Sequence, residues 1–220
     1  DETISRYLSG VLRHNAVSLG LTVRADGYVR VSDVLALEFF QSRSFAEDDL
    51  RRLVGQNAKQ RFGLCVPEGE EELHVRAHQG HTIARVQDEA LLTQVLSAEE
   101  LPMLCHGTFQ DAWPAIQQEG LRTMGRNNIH CVAVDLAIDA NRNAFQSGAR
   151  GQCDVVVYID VGAAMDAGVA FYWSDNSVVL TRGLGDVLPP YYFLGVCIWN
   201  YELGTWEWSP LQAEVESAID

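Results

Sequence analysis

Arg13 and His14 are neighbouring basic residues beside a stretch whose apolar residues Ile4, Leu8, Val11, Leu12, Ala16 and Leu19 recur at helical spacing. Arginine offers a planar two-pronged donor and protonated histidine a third contact, so the pair suits a phosphate clamp. Two solvated polar residues are the plainer alternative. Lys59-Gln60-Arg61-Phe62 supplies a second basic pair, either a solvated turn or a partner facing the same anion. Lys59 stands out as the single lysine beside fifteen arginines. Arg76-Ala77-His78-Gln79-Gly80-His81-Thr82 carries two histidines but no acid or cysteine at ligand spacing, so no metal is expected there. His106-Gly107-Thr108 follows an apolar run. It could grip a ribose through imidazole and backbone, with glycine allowing close approach. Met124-Gly125-Arg126-Asn127-Asn128-Ile129-His130 sets an arginine four residues before a histidine, and Ser147-Gly148-Ala149-Arg150 is a glycine-assisted turn ending in an arginine. A bound anion such as a pyrophosphate, or a surface ion pair, accounts for either arginine.

The elements that must position these residues fall into two patterns. In the first half the spacing predicts a helix from Asp1 or Thr3 to Gly20, a turn at Asp26-Gly27, and helices over Val31–Phe39 and Phe45–Gln56. Strands over Arg61–Val66 and Glu72–His78 follow, with Pro67–Glu71 as the turn. Three helices and a hairpin are the order of a winged helix. The second half alternates: a strand at Pro102–Cys105, a helix at Gln110–Gln118, then short apolar strands at Ile129–Val134, Asp154–Ile159, Val169–Tyr172, Val178–Thr181 and Phe193–Trp199. This is the pattern of an α+β protein with a sheet sandwich. No G-x-G-x-x-G opens a helix after a strand, which argues against a Rossmann fold.

Composition narrows the partners. The 220 residues hold 16 basic and 30 acidic side chains, net −14. That charge opposes broad adhesion to nucleic acid or anionic lipid but leaves room for a narrow phosphate pocket. The imbalance is uneven: residues 1–98 carry net −3 and residues 99–220 net −11. With the proline of Glu-Leu-Pro, this places a domain boundary near 98. No apolar run is long enough for a membrane helix. The five cysteines (65, 105, 131, 153 and 197) are odd in number and widely spaced. They fit neither a zinc site nor a disulfide framework and point to a reducing, cytoplasmic setting. The chain begins at Asp1, so a trimmed leader or tail is expected, and no signal-peptide pattern is visible.

Taken in order, the pieces resemble the tRNA 2′-phosphotransferase family. The resemblance rests on Leu-Arg-His (12–14), Asp-Gly-Tyr-Val (26–29), Lys-Gln-Arg-Phe (59–62), Arg-Ala-His-Gln-Gly-His-Thr (76–82) and His-Gly-Thr (106–108). It continues through Met-Gly-Arg (124–126), Ile-His (129–130), Ser-Gly-Ala-Arg (147–150), Tyr-Ile-Asp (158–160) and Phe-Tyr-Trp-Ser-Asp-Asn (171–176). It spans about Ile4 to Phe193 and leaves out the tail from Leu194 with Trp199, Trp206 and Trp208, read as an edge strand or a cover.

The resemblance implies a winged-helix lobe over residues 1–98 that holds RNA. It implies an ADP-ribosyltransferase-like β-sandwich lobe over 99–220 that holds NAD, with an extension from about 194. It implies NAD-dependent removal of an internal RNA 2′-phosphate, as at a tRNA splice junction. The phosphate attacks C1″ of NAD and expels nicotinamide. The ribose 2″-hydroxyl then attacks phosphorus, giving RNA 2′-OH and ADP-ribose 1″,2″-cyclic phosphate. The family's essential set maps onto Arg13, His14, Arg61 and Arg126. Lys59, Arg76, Gln79 and His81 join the RNA side. His106, Gly107, Thr108, His130, Ser147, Gly148, Arg150 and Asn176 fall on the NAD side. No metal is implied; a monomer is expected, in the cytoplasm or, in a eukaryote, also the nucleus. Three positions depart from the family pattern. Asn128 replaces the first His of His-Ile-His, Ala149 replaces a Met, and His78 replaces an Asn. Two other readings remain: an ADP-ribosyltransferase that caps terminal phosphates of nucleic acids, and a phospho-RNA-binding module without turnover.

Overall fold

The computed structural model describes residues 2–138 and 153–211. The protein is mixed α/β with several antiparallel sheets. The chain forms two compact units. One contains Asp1–Gln94, Met124–Asn128 and Tyr172–Val178; the other contains Val95–Thr123, Ile129–Phe171 and Val179–Asp220.

In the first unit, α1 (Glu2–Gly10) runs directly into a π-helical turn, Val11–Asn15. Leu8, Val11 and Leu12 are buried, as their spacing requires. The predicted single helix therefore ends sooner: Leu19 is exposed and Gly20 turns the chain with φ +79°. Apolar periodicity cannot tell an i→i+5 turn from an i→i+4 turn over one cycle.

Next come β1 (Val29–Arg30), α2 (Val31–Leu35), α3 (Glu38–Gln41) and α4 (Glu47–Gly55). The predicted helix over Val31–Phe39 is broken at Leu37, which is extended, and the break leaves both Val34 and Phe40 fully buried. At the start of α4 the Asp49 carboxylate accepts the Ala46 N–H, and acidic residues fill the first turn, complementing the helix dipole. The hairpin strands β2 (Phe62–Cys65) and β3 (His74–Ala77) pair antiparallel, and β1 joins the other edge of β3. A short α5 (Asp88–Leu91) and β4 (Thr93–Gln94) follow, and β4 pairs with Tyr172 and Trp173.

In the second unit, β5 (Cys105–Thr108), α6 (Trp113–Glu119), β6 (Leu121–Arg122), β7 (Ile129–Cys131), β8 (Val155–Ile159) and α7 (Val161–Asp166) come first. They are followed by β9 (Phe171–Trp173), of which only Phe171 belongs to this unit, and by β10 (Val179–Thr181), β11 (Val187–Leu188), β12 (Phe193–Asn200) and β13 (Thr205–Pro210). The main sheet has the order β13-β12-β8-β5. All five β8 residues are buried, which explains an unbroken Val-Val-Val-Tyr-Ile run in place of alternation. β7 pairs with β10, and β6 with β11. The tryptophan-rich tail supplies β13, the edge strand beside β12. Among the described residues, no helix is long and apolar enough to cross a membrane.

Candidate active site

The π turn displays Arg13 and His14 side by side, Arg13 partly buried and His14 exposed. Both are held by the loop after β3. Thr82 donates its N–H to the Arg13 carbonyl at 2.9 Å, and its Oγ1 reaches the same oxygen at 3.4 Å. Thr82 Oγ1 also lies 3.1 Å from His14 Nδ1. With its own hydrogen on the Arg13 carbonyl, Thr82 accepts from Nδ1–H, which leaves Nε2 as the second nitrogen of a neutral ring. Gly80 completes the seat. Its φ is +88°, a left-handed conformation that favours glycine, and the Arg13 guanidinium packs against it at contact distance.

Arg61 stands in the same unit, just before β2. Asn57 Oδ1 accepts the Arg61 N–H at 3.3 Å, and the His78 N–H donates to the Arg61 carbonyl at 2.9 Å. Ser5 Oγ, buried on α1, accepts from Arg61 Nη1 at 3.4 Å and from Asn57 Nδ2 at 3.2 Å. Ser5 and Asn57 escaped the sequence reading. A signal existed for Ser5: it stands at i, i+3, i+7 with Leu8 and Leu12, so a hydroxyl on the core stripe needed a buried partner.

Arg126 completes the group. It belongs to the Met124–Asn128 segment of the same unit and is exposed. Burial, followed by repulsion from Arg61 and then Arg126, lowers the Arg13 pKa to about 10. Burial, then Arg13 and Arg126, pushes the His14 pKa below its ordinary value. Four basic side chains thus act on one another, and among the described residues no carboxylate offsets the charge at Arg13 or His14. Such a cluster strains electrostatically until an anion enters.

His81 lies beneath it, 3 % exposed, and among the described residues neither ring nitrogen has a hydrogen-bond partner. Burial, then Arg13, His14, Arg76 and His78, lowers its pKa to about 3, so the ring is neutral. Arg76 is occupied differently: Nη2 donates to Asp175 Oδ2 at 2.6 Å, Nη1 donates to the Asp26 carbonyl at 3.2 Å, and the guanidinium stacks on Tyr28 at 4.6 Å. His78 Nδ1 is 3.1 Å from the same Asp175 oxygen. Gln79 is buried and Lys59 exposed; the Lys59 carbonyl accepts from Asn176 Nδ2 at 3.5 Å. Asn176 is itself buried, and its Oδ1 accepts from Ser174 Oγ, so the structure seats it in the first unit beside Lys59.

The second unit holds His106, Gly107, Thr108 and His130. His106 Nδ1 donates to the His130 carbonyl at 2.7 Å, which fixes the tautomer. A Cβ at Gly107 would stand 2.9 Å from Cys153 Sγ and 3.0 Å from Leu136 Cδ1. Core packing therefore accounts for this glycine. Thr108 and His130 are buried. Ser147, Gly148 and Arg150 lie outside the described residues.

Residues 1–183 match the family model described as RNA 2′-phosphotransferase, Tpt1/KptA family. The chain belongs to this family. It is 41% identical over 195 residues to a tRNA 2′-phosphotransferase 1 of Danio rerio, covering 88% of this chain and 84% of the relative. It is 39% identical over 194 residues to tRNA 2′-phosphotransferase 1 of Homo sapiens, covering 87% and 74%. A probable RNA 2′-phosphotransferase of Streptomyces griseus is 34% identical over 194 residues, covering 87% and 94%. The matched span includes Arg13, His14, Arg61 and Arg126 and ends before β12 and β13.

Proposed function

We propose that the protein removes an internal 2′-phosphate from RNA, with a spliced tRNA as the substrate class and NAD as co-substrate. The observation that carries this reading is the convergence of Arg13, His14, Arg61 and Arg126 in one unit, with no carboxylate among the described residues offsetting the charge at Arg13 or His14. A phosphate monoester dianion is the ligand whose charge and shape fit three guanidinium groups and an imidazole. We read the first unit as a winged-helix lobe that binds RNA. Its α2, α3 and α4 followed by the β2–β3 hairpin favour this reading. We read the second unit as the ADP-ribosyltransferase-like lobe for NAD. Its antiparallel sheets and the fixed imidazole of His106 suit a ribose.

NAD supplies an electrophilic ribose carbon, C1″, with nicotinamide as a neutral leaving group. The protein's task in the first step is orientation, because the 2′-phosphate is already an anionic nucleophile. Arg13, Arg61 and His14 hold and partly neutralise it. An oxygen of the phosphate bonds to C1″ as the bond to nicotinamide breaks. In the second step the ribose 2″-hydroxyl oxygen bonds to phosphorus and the bond to the RNA 2′-oxygen breaks. The hydroxyl proton ends on that oxygen. Arg126 stabilises the added negative charge at five-coordinate phosphorus. His106 and Thr108 hold the NAD ribose and His130 flanks nicotinamide. Arg150 is assigned to the pyrophosphate on the family resemblance.

The test is incubation of the protein with a 2′-phosphorylated oligoribonucleotide and NAD, followed by mass analysis. Nicotinamide, 2′-OH RNA and ADP-ribose 1″,2″-cyclic phosphate are expected. A stable ADP-ribosyl adduct would favour capping. Binding without nicotinamide release would favour a binding module. Either result would overturn the proposed reaction.

A further inference from the structure

The segment that presents Arg126 is held by polar side chains that the reaction itself does not use. Its chain reversal is made by two successive left-handed residues, Met124 (φ +53°) and Gly125 (φ +78°), and Met124 is 84 % exposed. Nothing apolar therefore anchors the tip. Beyond Arg126 the anchoring begins. The Asn127 N–H donates to the His81 carbonyl at 2.7 Å. Asn127 Nδ2 donates to two further carbonyls of the same loop, Ile83 at 3.2 Å and Val86 at 3.4 Å. Asn128 Nδ2 then donates to Asp88 Oδ1 at 2.8 Å. All of these residues belong to the first unit.

Arg126 needs such a hold. It is exposed, and it approaches His14 and the Arg13 guanidinium, whose charge repels it. With no anion bound, a loosely attached arginine would swing into solvent, where its charge is better screened. One side-chain amide that bridges two carbonyls of the loop beneath opposes that swing.

We propose that Asn127 is the positioning residue for Arg126, fixing the guanidinium over the phosphate site before RNA arrives. The idea rests on the role given to Arg126 above: Asn127 touches no substrate and acts through its neighbour. Its loss should leave phosphate capture and nicotinamide release within a few-fold of normal. It should slow the second step by about tenfold, the loss of one or two ordinary hydrogen bonds.

The experiment uses the whole chain, a 2′-phosphorylated oligoribonucleotide and NAD, with quenched time courses that resolve ADP-ribosylated RNA from 2′-OH RNA. Asn127→Ala, Arg126→Ala and the double variant are compared, and amide exchange is measured across residues 124–128 without substrate. Asn127→Ser, which can reach only one carbonyl, serves as the milder second variant if the alanine protein melts early. The expected result has three parts. The ADP-ribosylated RNA accumulates in Asn127→Ala, the double variant matches Arg126→Ala within about twofold, and exchange rises only in 124–128. Unchanged exchange in this segment overturns the proposal. So do a double variant in which the two losses multiply, and an Asn127 variant that slows both steps equally. If Arg126→Ala itself leaves the partition between steps unchanged, the role given to Arg126 under the proposed function falls. The exchange measurement then decides separately whether Asn127 holds the segment.

Discussion

The buried, neutral His81 ring has a measurable cost in acid. Its folded-state pKa is about 3, whereas the unfolded chain titrates near the ordinary histidine value of about 6.5. Between these values the unfolded state takes up a proton that the folded state refuses, so stability falls as pH falls below about 6.5. At pH 7 the unfolded ring is mostly neutral and the contribution is small. At pH 5 it is almost fully protonated, and 1.5 pH units correspond to about 2 kcal/mol lost. His81→Gln removes the titration while keeping a polar side chain of similar length. Urea denaturation followed by circular dichroism, for both proteins at pH 7 and pH 5, isolates the difference because the other titrating groups are shared. The wild-type protein should lose about 2 kcal/mol more than the variant across this interval. Equal losses would mean that His81 is not held neutral among the cations, and the electrostatic description of the site would be wrong.

Further outcomes follow from the same geometry. Arg61→Ala should weaken binding of a 2′-phosphorylated oligonucleotide by about 1.5–3 kcal/mol, read by titration calorimetry, since one charge-assisted contact is lost. Ser5→Ala should show a smaller loss in that assay, because it loosens Arg61 without removing its charge. Binding should be accompanied by proton uptake near pH 7. The His14 pKa is depressed by burial and by Arg13 and Arg126, and an incoming dianion raises it. Calorimetry in two buffers of different ionisation enthalpy measures the uptake, and His14→Ala should abolish it. Gly80→Ala should cost about 1–2 kcal/mol in stability from its left-handed backbone, measured by urea denaturation.

The helices and hairpin of the first unit were legible because their apolar residues follow helical and strand periods. Leu8, Val34, Phe40, Leu50, Phe62 and Val75 are all buried. Lengths were less legible. The break at Leu37 and the π turn at Val11–Asn15 come from backbone geometry that leaves the apolar pattern unchanged. The charge shift suggested a boundary near residue 98, and no local signal shows that 124–128 and 172–178 group with the first unit. That grouping brings Arg126 to Arg13 and His14, and it rests on polar side chains such as Asn127 and Asp175 meeting partners far along the chain. The basic residues could be singled out by type. Their supports were harder to see: Ser5 and Thr82 meet their partners across tens of residues, which leaves no pairing pattern in sequence, and Asn57 lies four residues before Arg61 in a turn with no periodicity to mark it. Gly107 has a packing constraint that its sequence did not show: a Cβ there would meet Cys153 and Leu136.

The most direct measurement is a paired titration of the wild-type protein with one short oligoribonucleotide bearing an internal 2′-phosphate and with the same oligonucleotide bearing a 2′-hydroxyl. Contacts from Arg13, His14 and Arg61 to the phosphate should make the phosphorylated strand bind at least about 100-fold more tightly. Equal affinities for the two strands would contradict the assignment of this cationic cluster to a 2′-phosphate.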